Sequence, residues 1–185
     1  MSHRTFETTR TQIRPTNEDD AEFVVELFNS PKWLKFIGDR KVRTAEDAKE
    51  YISKKMTPQL DRLGFSNYTV IRKRDQAKIG TCGLYDRDGL DGVDMGFAFL
   101  SQFEKQGYAF EASKKILEAA FTEFKLESVS AITIRENIDS QRLLEKLGFH
   151  FHDMTNLPDD PEDLMLYRIH KEEWKKNTSE EKSLR

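Results

Sequence analysis

A chain of 185 residues is long enough to bury a core without disulfide or metal staples. Its 30 basic and 33 acidic side chains leave a net charge of −3, which argues against a protein built around nucleic acid or an anionic membrane surface. No apolar run reaches the length of a membrane span, the opening MSHRTFETTR lacks the apolar stretch of a secretory leader, and the lone Cys82 leaves no internal disulfide; these features predict a cytoplasmic monomer or homodimer.

In chain order, TQIRP (11–15) predicts a short edge strand ended by Pro15. TNEDDAEFVVELFNS (16–30) predicts a helix, with acidic residues in its first turn and Phe23, Val24, Leu27 and Phe28 at helical spacing. PKWLKFIGDRKVR (31–43) reads as irregular and aromatic, and Thr44, three residues before Asp47, marks the start of a helix TAEDAKEYISKKM. FSNYTVIRK (65–73) and AKIGTCGLY (77–85), joined by RDQ, predict a hairpin; DRDGLDG (86–92) is turn chemistry and VDMGFAFL (93–100) the next strand. The i+4 stripe Ala112, Ile116, Ala120 and Phe124 predicts a helix from about Gly107 to Phe124. SVSAITI (128–134) follows as a strand, then NIDSQRLLEKLG (137–148) as a helix with Leu143, Leu144 and Leu147 inward and Gly148 as its stop. FHFHDM and LMLYRIH read as closing strands joined by NLPDDPED, and KEEWKKNTSEEKSLR (171–185) as a charged tail that frays. No repeat or linker interrupts this order. The chain therefore reads as one domain, 1–185 with a core of about 9–170, in an α/β fold layered around a mixed sheet.

FLSQFEKQGYAFEAS (99–113) turns a strand straight into a helix through Gly107. The first amides of a helix lack intrahelical acceptors and the peptide dipoles make that end partly positive, so such a corner can hold an anion, phosphate above all. Lys105 would add charge and Gly107 would let the backbone approach; a plain turn uses the same residues, and one glycine does not separate the two. In AITIRENIDSQRLLEKLGF (131–149), Asn137 and Ser140 stand between a strand and its following helix. Both are good helix-start residues, and both also point toward whatever lies between this strand and the preceding one. With VDMGFAFL beside SVSAITI, the C-terminal ends of both strands reach one sheet edge, where ligands of such sheets bind.

The combination VDMGFAFLSQFEKQGYAFEA with AITIRENIDSQRLLEKLGF resembles the GNAT superfamily of N-acetyltransferases. The opening TRTQIRPTNEDDAEFVVELFNSP is similar to its RimJ/RimL-like branch, which includes acetyltransferases of ribosomal-protein N-termini, so the likeness runs from about Thr9 to Tyr167. The resemblance implies a single α/β (α+β) domain with a mixed central sheet flanked by helices and acetyl-CoA bound where two neighbouring parallel strands splay. It implies transfer of the acetyl group from acetyl-CoA to a primary amine, on a protein N-terminus or a small molecule, by direct attack in a ternary complex. The family loop Gln/Arg-x-x-Gly-x-Gly/Ala becomes Glu104-Lys105-Gln106-Gly107-Tyr108-Ala109, with Gly107 and Ala109 in place and Glu104 departing. A carboxylate near a diphosphate costs on the order of 1 kcal/mol in water, and Lys105 offsets part of it.

Carried over to this chain, the resemblance implies that Phe97, Ala98 and Phe99 offer backbone to the pantetheine arm. It implies that Lys105, Gln106, Gly107, Tyr108 and Ala109 wrap the pyrophosphate, and that Asn137 contacts the arm. The proton-donating Tyr of many members falls at Leu144, while the Ser of the RimL-like pattern matches Ser140. A thiol with a pKa of about 8.5 leaves without a strong acid, so one hydroxyl suffices as donor to the departing sulfur. The amine must lose a proton before attack, for which Asp94, Glu111, Asp39 and Asp86 are candidate bases, Asp94 being taken with Ser140 as the catalytic pair. A strand amide near Phe99 would hold the oxyanion. A CoA-binding module of the same fold without catalysis is the competing reading, kept open by Leu144 and Glu104.

Three other features carry less. His150 and His152 share one side of a strand, a spacing compatible with a metal, but no further ligand clusters with them and no metal is expected. The aromatic stretch 32–40 suits either an acceptor pocket or helix packing. Cys82 reads as a small buried residue, since direct transfer needs no covalent intermediate.

Overall fold

The computed structural model describes residues 3–158 and 161–183, and its backbone contacts divide them into two units. The first comprises the residues up to Tyr85 together with Gly96–Ile116. Its strands β1 (Phe6–Glu7), β2 (Thr11–Pro15), β3 (Asn67–Arg72) and β4 (Lys78–Asp86) pair antiparallel in that order. TQIRP is thus an interior strand and not the predicted edge. The two-residue β1 takes the edge, with Phe6 opposite Ile13, and so short a strand has no alternation to read. The predicted hairpin is β3–β4, with Tyr68 opposite Cys82.

Helix α1 (Ala21–Phe28) follows a 3-10 turn at Glu18–Asp20 capped by Asn17, and buries Phe23, Val24, Leu27 and Phe28 as the spacing predicts. The stretch read as irregular holds a helix, α2 (Pro31–Phe36), because Pro31 is preset for a first helical turn. Thr44 forms the predicted capping box with Asp47 at the start of α3 (Ala45–Tyr51). The helical path then widens into a π segment, Ile52–Met56, and continues as α4 (Thr57–Leu63), beyond the predicted stop. Pro58 explains the widening, since it has no N–H for the carbonyl of Lys54, and Thr57 instead donates its N–H back to Ile52 O. Gly64, at φ +81°, ends α4. Phe28, Trp33, Val42, Ala48, Ile52 and Leu100 share one apolar cluster.

The second unit comprises Asp86–Met95 and the residues from Leu117 onward. Strand β5 (Val93–Phe99) and helix α5 (Tyr108–Thr122) each contribute to both units. In the second, β6 (Ser128–Ile134) runs parallel to the start of β5, with Ser130 opposite Asp94. On its other side β6 pairs antiparallel with β8 (Leu164–His170), and β8 pairs with β7 (His150–Thr155). Helix α6 (Ile138–Lys146) stops at Gly148, φ +95°, as predicted. The charged tail is a helix, α7 (Lys171–Ser183), and not the predicted frayed end: Trp174 packs on Phe121 at 5.3 Å between ring centroids. Lys175 pairs with Glu172 on the same helix. Asp159 and Asp160 of the predicted β7–β8 connection, and Leu184 and Arg185 of the tail, lie outside the described residues. Among the described residues no helix is long and apolar enough to cross a membrane.

Candidate functional site

The first corner to consider is Glu104–Ala109, which enters α5. Lys105 and Gly107 both have positive φ, +57° and +83°, so the backbone makes a left-handed bend on each side of Gln106. The first helical bond of α5 is Glu111 N to Gly107 O at 3.0 Å, which leaves the amides of Tyr108 and Ala109 without acceptors inside the helix. A Cβ at Gly107 would meet one atom within 4 Å, Nη2 of Arg10 at 3.1 Å. Backbone, charge and space therefore fit a diphosphate.

Arg10 is the residue sequence reading missed at this corner. It donates from Nη1 to Gln106 O (2.9 Å) and from Nε to Glu111 (2.7 Å), and its guanidinium lies 4.3 Å from the Tyr108 ring centroid. Glu111 also accepts from Thr8 Oγ1 (2.5 Å) and from Arg10 N (2.8 Å). Burial would raise the Glu111 pKa, yet these hydrogen bonds and the Arg10 charge outweigh it and hold the carboxyl below its usual range. Glu111 is thus a brace for the loop. The odd residue Glu104 has a counter-charge as well: Lys32 Nζ lies 2.5 Å from its Oε2. Neither Arg10 nor Lys32 has a local sequence signal, because the pairings span 101 and 72 residues.

On β5, Leu100 donates its N–H to Ile79 O at 3.0 Å. By strand alternation the backbone of Ala98 also faces β4, while the amides and carbonyls of Phe97 and Phe99 point away from it. Phe97 and Phe99 are therefore the strand residues with backbone to offer, and Ala98 spaces them.

The corner between β6 and α6 is built differently. Asn137 Oδ1 accepts from Ser140 N at 3.2 Å, so Asn137 caps the helix through its oxygen and keeps its amide N–H₂ as a donor. Ser140 supplies a backbone N–H to this cap, and its half-buried hydroxyl has no hydrogen-bond partner among the described residues. Leu144 is 1% exposed and belongs to the core.

Asp94, Asp39 and Glu111 of the predicted bases are paired, and Asp86 is exposed. Asp94 is 1% exposed and meets Arg87 through both oxygens, at 3.0 and 3.2 Å. Burial holds its carboxyl above the usual range, and the charge and hydrogen bonds of Arg87 offset only part of that rise. Asp39 pairs with Arg43 at 2.6 Å in the open, and Asp86 is exposed at the end of β4. Cys82 is fully buried, its thiol pushed up to about 12 by burial despite a contact with Ser113, and is no nucleophile. His150 and His152 are exposed on β7, where the pairing slips between Phe151 and Asp153. Among the described residues no group of three or more His, Cys, Asp or Glu could hold a metal ion. Of the aromatic stretch 32–40, Trp33 is core, stacked 4.0 Å from Phe28, while Leu34 and Ile37 are exposed.

Residues 10–150 match the family model described as the Acetyltransferase (GNAT) domain. The chain is 30% identical over 171 residues to an uncharacterized N-acetyltransferase, YnaD, of Bacillus subtilis strain 168, covering 90% of this chain and 97% of that protein. Its structure is similar to that of a GNAT-family acetyltransferase from Bacillus anthracis, with a TM-score of 0.75 and 26% identity over 91% of this chain and 99% of that one. It also matches the ribosomal-protein-S5-alanine acetyltransferase of Vibrio fischeri, with a TM-score of 0.72 and 20% identity over 92% and 98% of the two chains.

Proposed function

The chain belongs to the GNAT acetyltransferase family, and from that premise we propose how its own residues carry acetyl transfer from acetyl-CoA to a primary amine. The family is defined by that reaction, with acetyl-CoA as co-substrate supplying an acyl group already activated as a thioester. The observation that carries the reading is the Gly107 corner: a left-handed bend at Lys105 and Gly107 before a helix start whose Tyr108 and Ala109 amides have no acceptor inside the helix, with the loop's one carboxylate neutralised by Lys32. Lys105, Gln106, Gly107, Tyr108 and Ala109 hold the pyrophosphate through backbone amides, with the Arg10 guanidinium beside them. Phe97 and Phe99 offer amide and carbonyl to the pantetheine arm, and the Phe99 amide stabilises negative charge developing on the acetyl oxygen.

Asn137, its oxygen committed to the helix cap, donates from its amide nitrogen to the arm. The Ser140 hydroxyl donates to the departing sulfur, the role that Leu144 cannot take. Asp94 stays in its pair with Arg87, and the proton lost by the ammonium passes to water. In this reading residues 1–185 act as one domain, a cytoplasmic monomer or homodimer, and the acceptor is a protein N-terminus or a small amine. The name of the Vibrio fischeri neighbour supports including peptides with N-terminal alanine among the acceptors tried.

Acetyl-CoA at about 100 times its Kd should stabilise the protein by about 2.7 kcal/mol, and CoA should do nearly as well. A panel of N-terminal peptides and small amines should then release CoA thiol on incubation with acetyl-CoA. Absence of any melting shift with millimolar acetyl-CoA would overturn the assignment of the Gly107 corner, and a shift without thiol release would reduce the chain to a CoA-binding module.

A further inference from the structure

Tyr85, near the end of β4, lies on a bed of two glycines. A Cβ at Gly83 would fall 2.6 Å from the Tyr85 hydroxyl, and one at Gly96 would fall 3.0 Å from its ring carbon Cε2. The Gly83 contact is closer than real Cβ atoms come and the Gly96 contact is tight, so a side chain at either position would crowd the plane that the ring occupies. Gly96 immediately precedes Phe97 and, by alternation, shares the face of Ala98 and Leu100, the face that packs with Phe28, Trp33 and Tyr51.

A run of hydrogen bonds leads inward from the phenol. Tyr85 donates to Asn67 Oδ1 at 2.5 Å, and Asn67 Nδ2 donates to Thr16 Oγ1 at 2.8 Å. Thr16 and Thr69 hydroxyls meet at 2.8 Å, and Thr69 donates to Asp20 Oδ2 at 2.9 Å. Asn67, Thr16, Thr69 and Asp20 are all buried. Burial would raise the Asp20 pKa, but hydrogen bonds from Arg14, Lys78 and the Asn17 amide overcome it and hold the carboxyl at about 2, so the chain ends on a carboxylate.

That end fixes the direction of every bond. Thr69 must spend its one hydrogen on Asp20, so its oxygen accepts from Thr16. Thr16 has then spent its hydrogen and can only accept from Asn67, which forces the amide N–H₂ toward Thr16 and the amide oxygen toward Tyr85. Turning the amide over would leave the Thr16–Thr69 contact without a hydrogen. The Tyr85 hydrogen is therefore committed to Asn67, and anything else that meets its oxygen has to be a donor.

We propose that Tyr85 selects and orients the acceptor: its phenol oxygen accepts an N–H of the incoming amine, beside the strand that carries the thioester. The inference rests on the acetyl-transfer reading and deepens it, since a group that only accepts favours an amine over an acceptor that presents only lone pairs. Tyr85 touches the substrate in this account, whereas Asn67, Thr16, Thr69 and Asp20 are positioning residues.

The test uses the whole chain and Tyr85→Phe, which keeps the ring on Gly83 and Gly96. The probes are an alanine tripeptide, spermidine and phenethylamine. With whichever probe releases CoA thiol, Tyr85→Phe should raise KM for the amine roughly tenfold while KM for acetyl-CoA stays unchanged, the size of one lost hydrogen bond. In parallel, protein labelled with ¹³C at tyrosine Cζ, its Tyr85 signal assigned by loss in the variant, is titrated with each amine in the presence of CoA. Movement of the Tyr85 signal supports the proposal, even if no thiol is released and the transfer reading falls. An unmoved Tyr85 signal with all three amines, or an unchanged amine KM in the variant, overturns it.

Discussion

Two strand-to-helix corners carry the proposed site, and they solve the same problem in opposite ways. At α6 the helix start is closed by its own neighbour, Asn137, whose side chain takes the Ser140 amide three residues on. At α5 the first amides have no acceptor inside the helix, and the loop before it is braced by Glu111 of the helix itself and, from a distance, by Arg10, Thr8 and Lys32. A closed start is locally encoded and leaves side chains to act, here the Ser140 hydroxyl. An open start leaves backbone amides to act, and needs distant residues to keep it in shape. The difference predicts which corner suffers from backbone changes and which from side-chain changes.

The largest effect is expected at the open corner from Gly107→Val. A β-branched residue at φ +83° is strained wherever it sits, and its Cβ would press on Arg10 Nη2 at 3.1 Å. Isothermal titration should show acetyl-CoA affinity reduced at least about a hundredfold, while the melting temperature falls by only the few degrees that about 1–2 kcal/mol of strain produces. A variant that binds acetyl-CoA like the parent would make Gly107 a turn residue only, and the two corners would no longer differ in kind.

Ser140→Ala sharpens the contrast from the other side. Because the cap is Asn137 and Ser140 contributes only a backbone amide to it, removing the hydroxyl should leave the melting temperature unchanged. Turnover should fall roughly ten- to a hundredfold through one lost bond to the leaving sulfur, with acetyl-CoA affinity intact. Asn137→Ala is the matched control and should lose about 1 kcal/mol of stability. Full turnover in Ser140→Ala would pass the sulfur's proton to water.

These corners also mark how far the sequence could be read. Elements with a local signature were legible: the Thr44–Asp47 box, the RDQ hairpin, the stripe of α5, Gly148 as a stop. Helix α2 was missed because aromatics dilute its pattern, and α7 was read as a fraying end because its stability comes from Trp174 meeting Phe121, a contact between segments 53 residues apart. Of the residues proposed for the site, Gly107, Asn137 and Ser140 stand out through spacing and family resemblance. Arg10, Lys32 and the Tyr85 chain were not, since each acquires its meaning from a partner brought near by folding. Glu104 read alone as a defect; with Lys32 beside it the loop's charge is restored.

That restoration gives the smallest and most specific expected effect. The Lys32–Glu104 pair is partly exposed, 43% and 24% for the two side chains, so its own contribution to stability is small. Its value lies in what Glu104 does to a neighbouring diphosphate once Lys32 is gone. Lys32→Ala should weaken acetyl-CoA binding about three- to fivefold at low ionic strength, equivalent to about 1 kcal/mol, and the loss should shrink as added salt screens the exposed carboxylate. Adding Glu104→Gln to Lys32→Ala should restore the affinity, because it removes the charge that Lys32 was countering. Glu104→Gln alone should leave binding equal or slightly tighter, since it returns the first loop position to the residue that the family pattern carries there. The four affinities form a double-mutant cycle in which neither single change predicts the pair. If Lys32→Ala leaves the low-salt Kd where it was, the lysine is a surface partner without function, and the open corner tolerates its carboxylate through backbone amides and Arg10 alone.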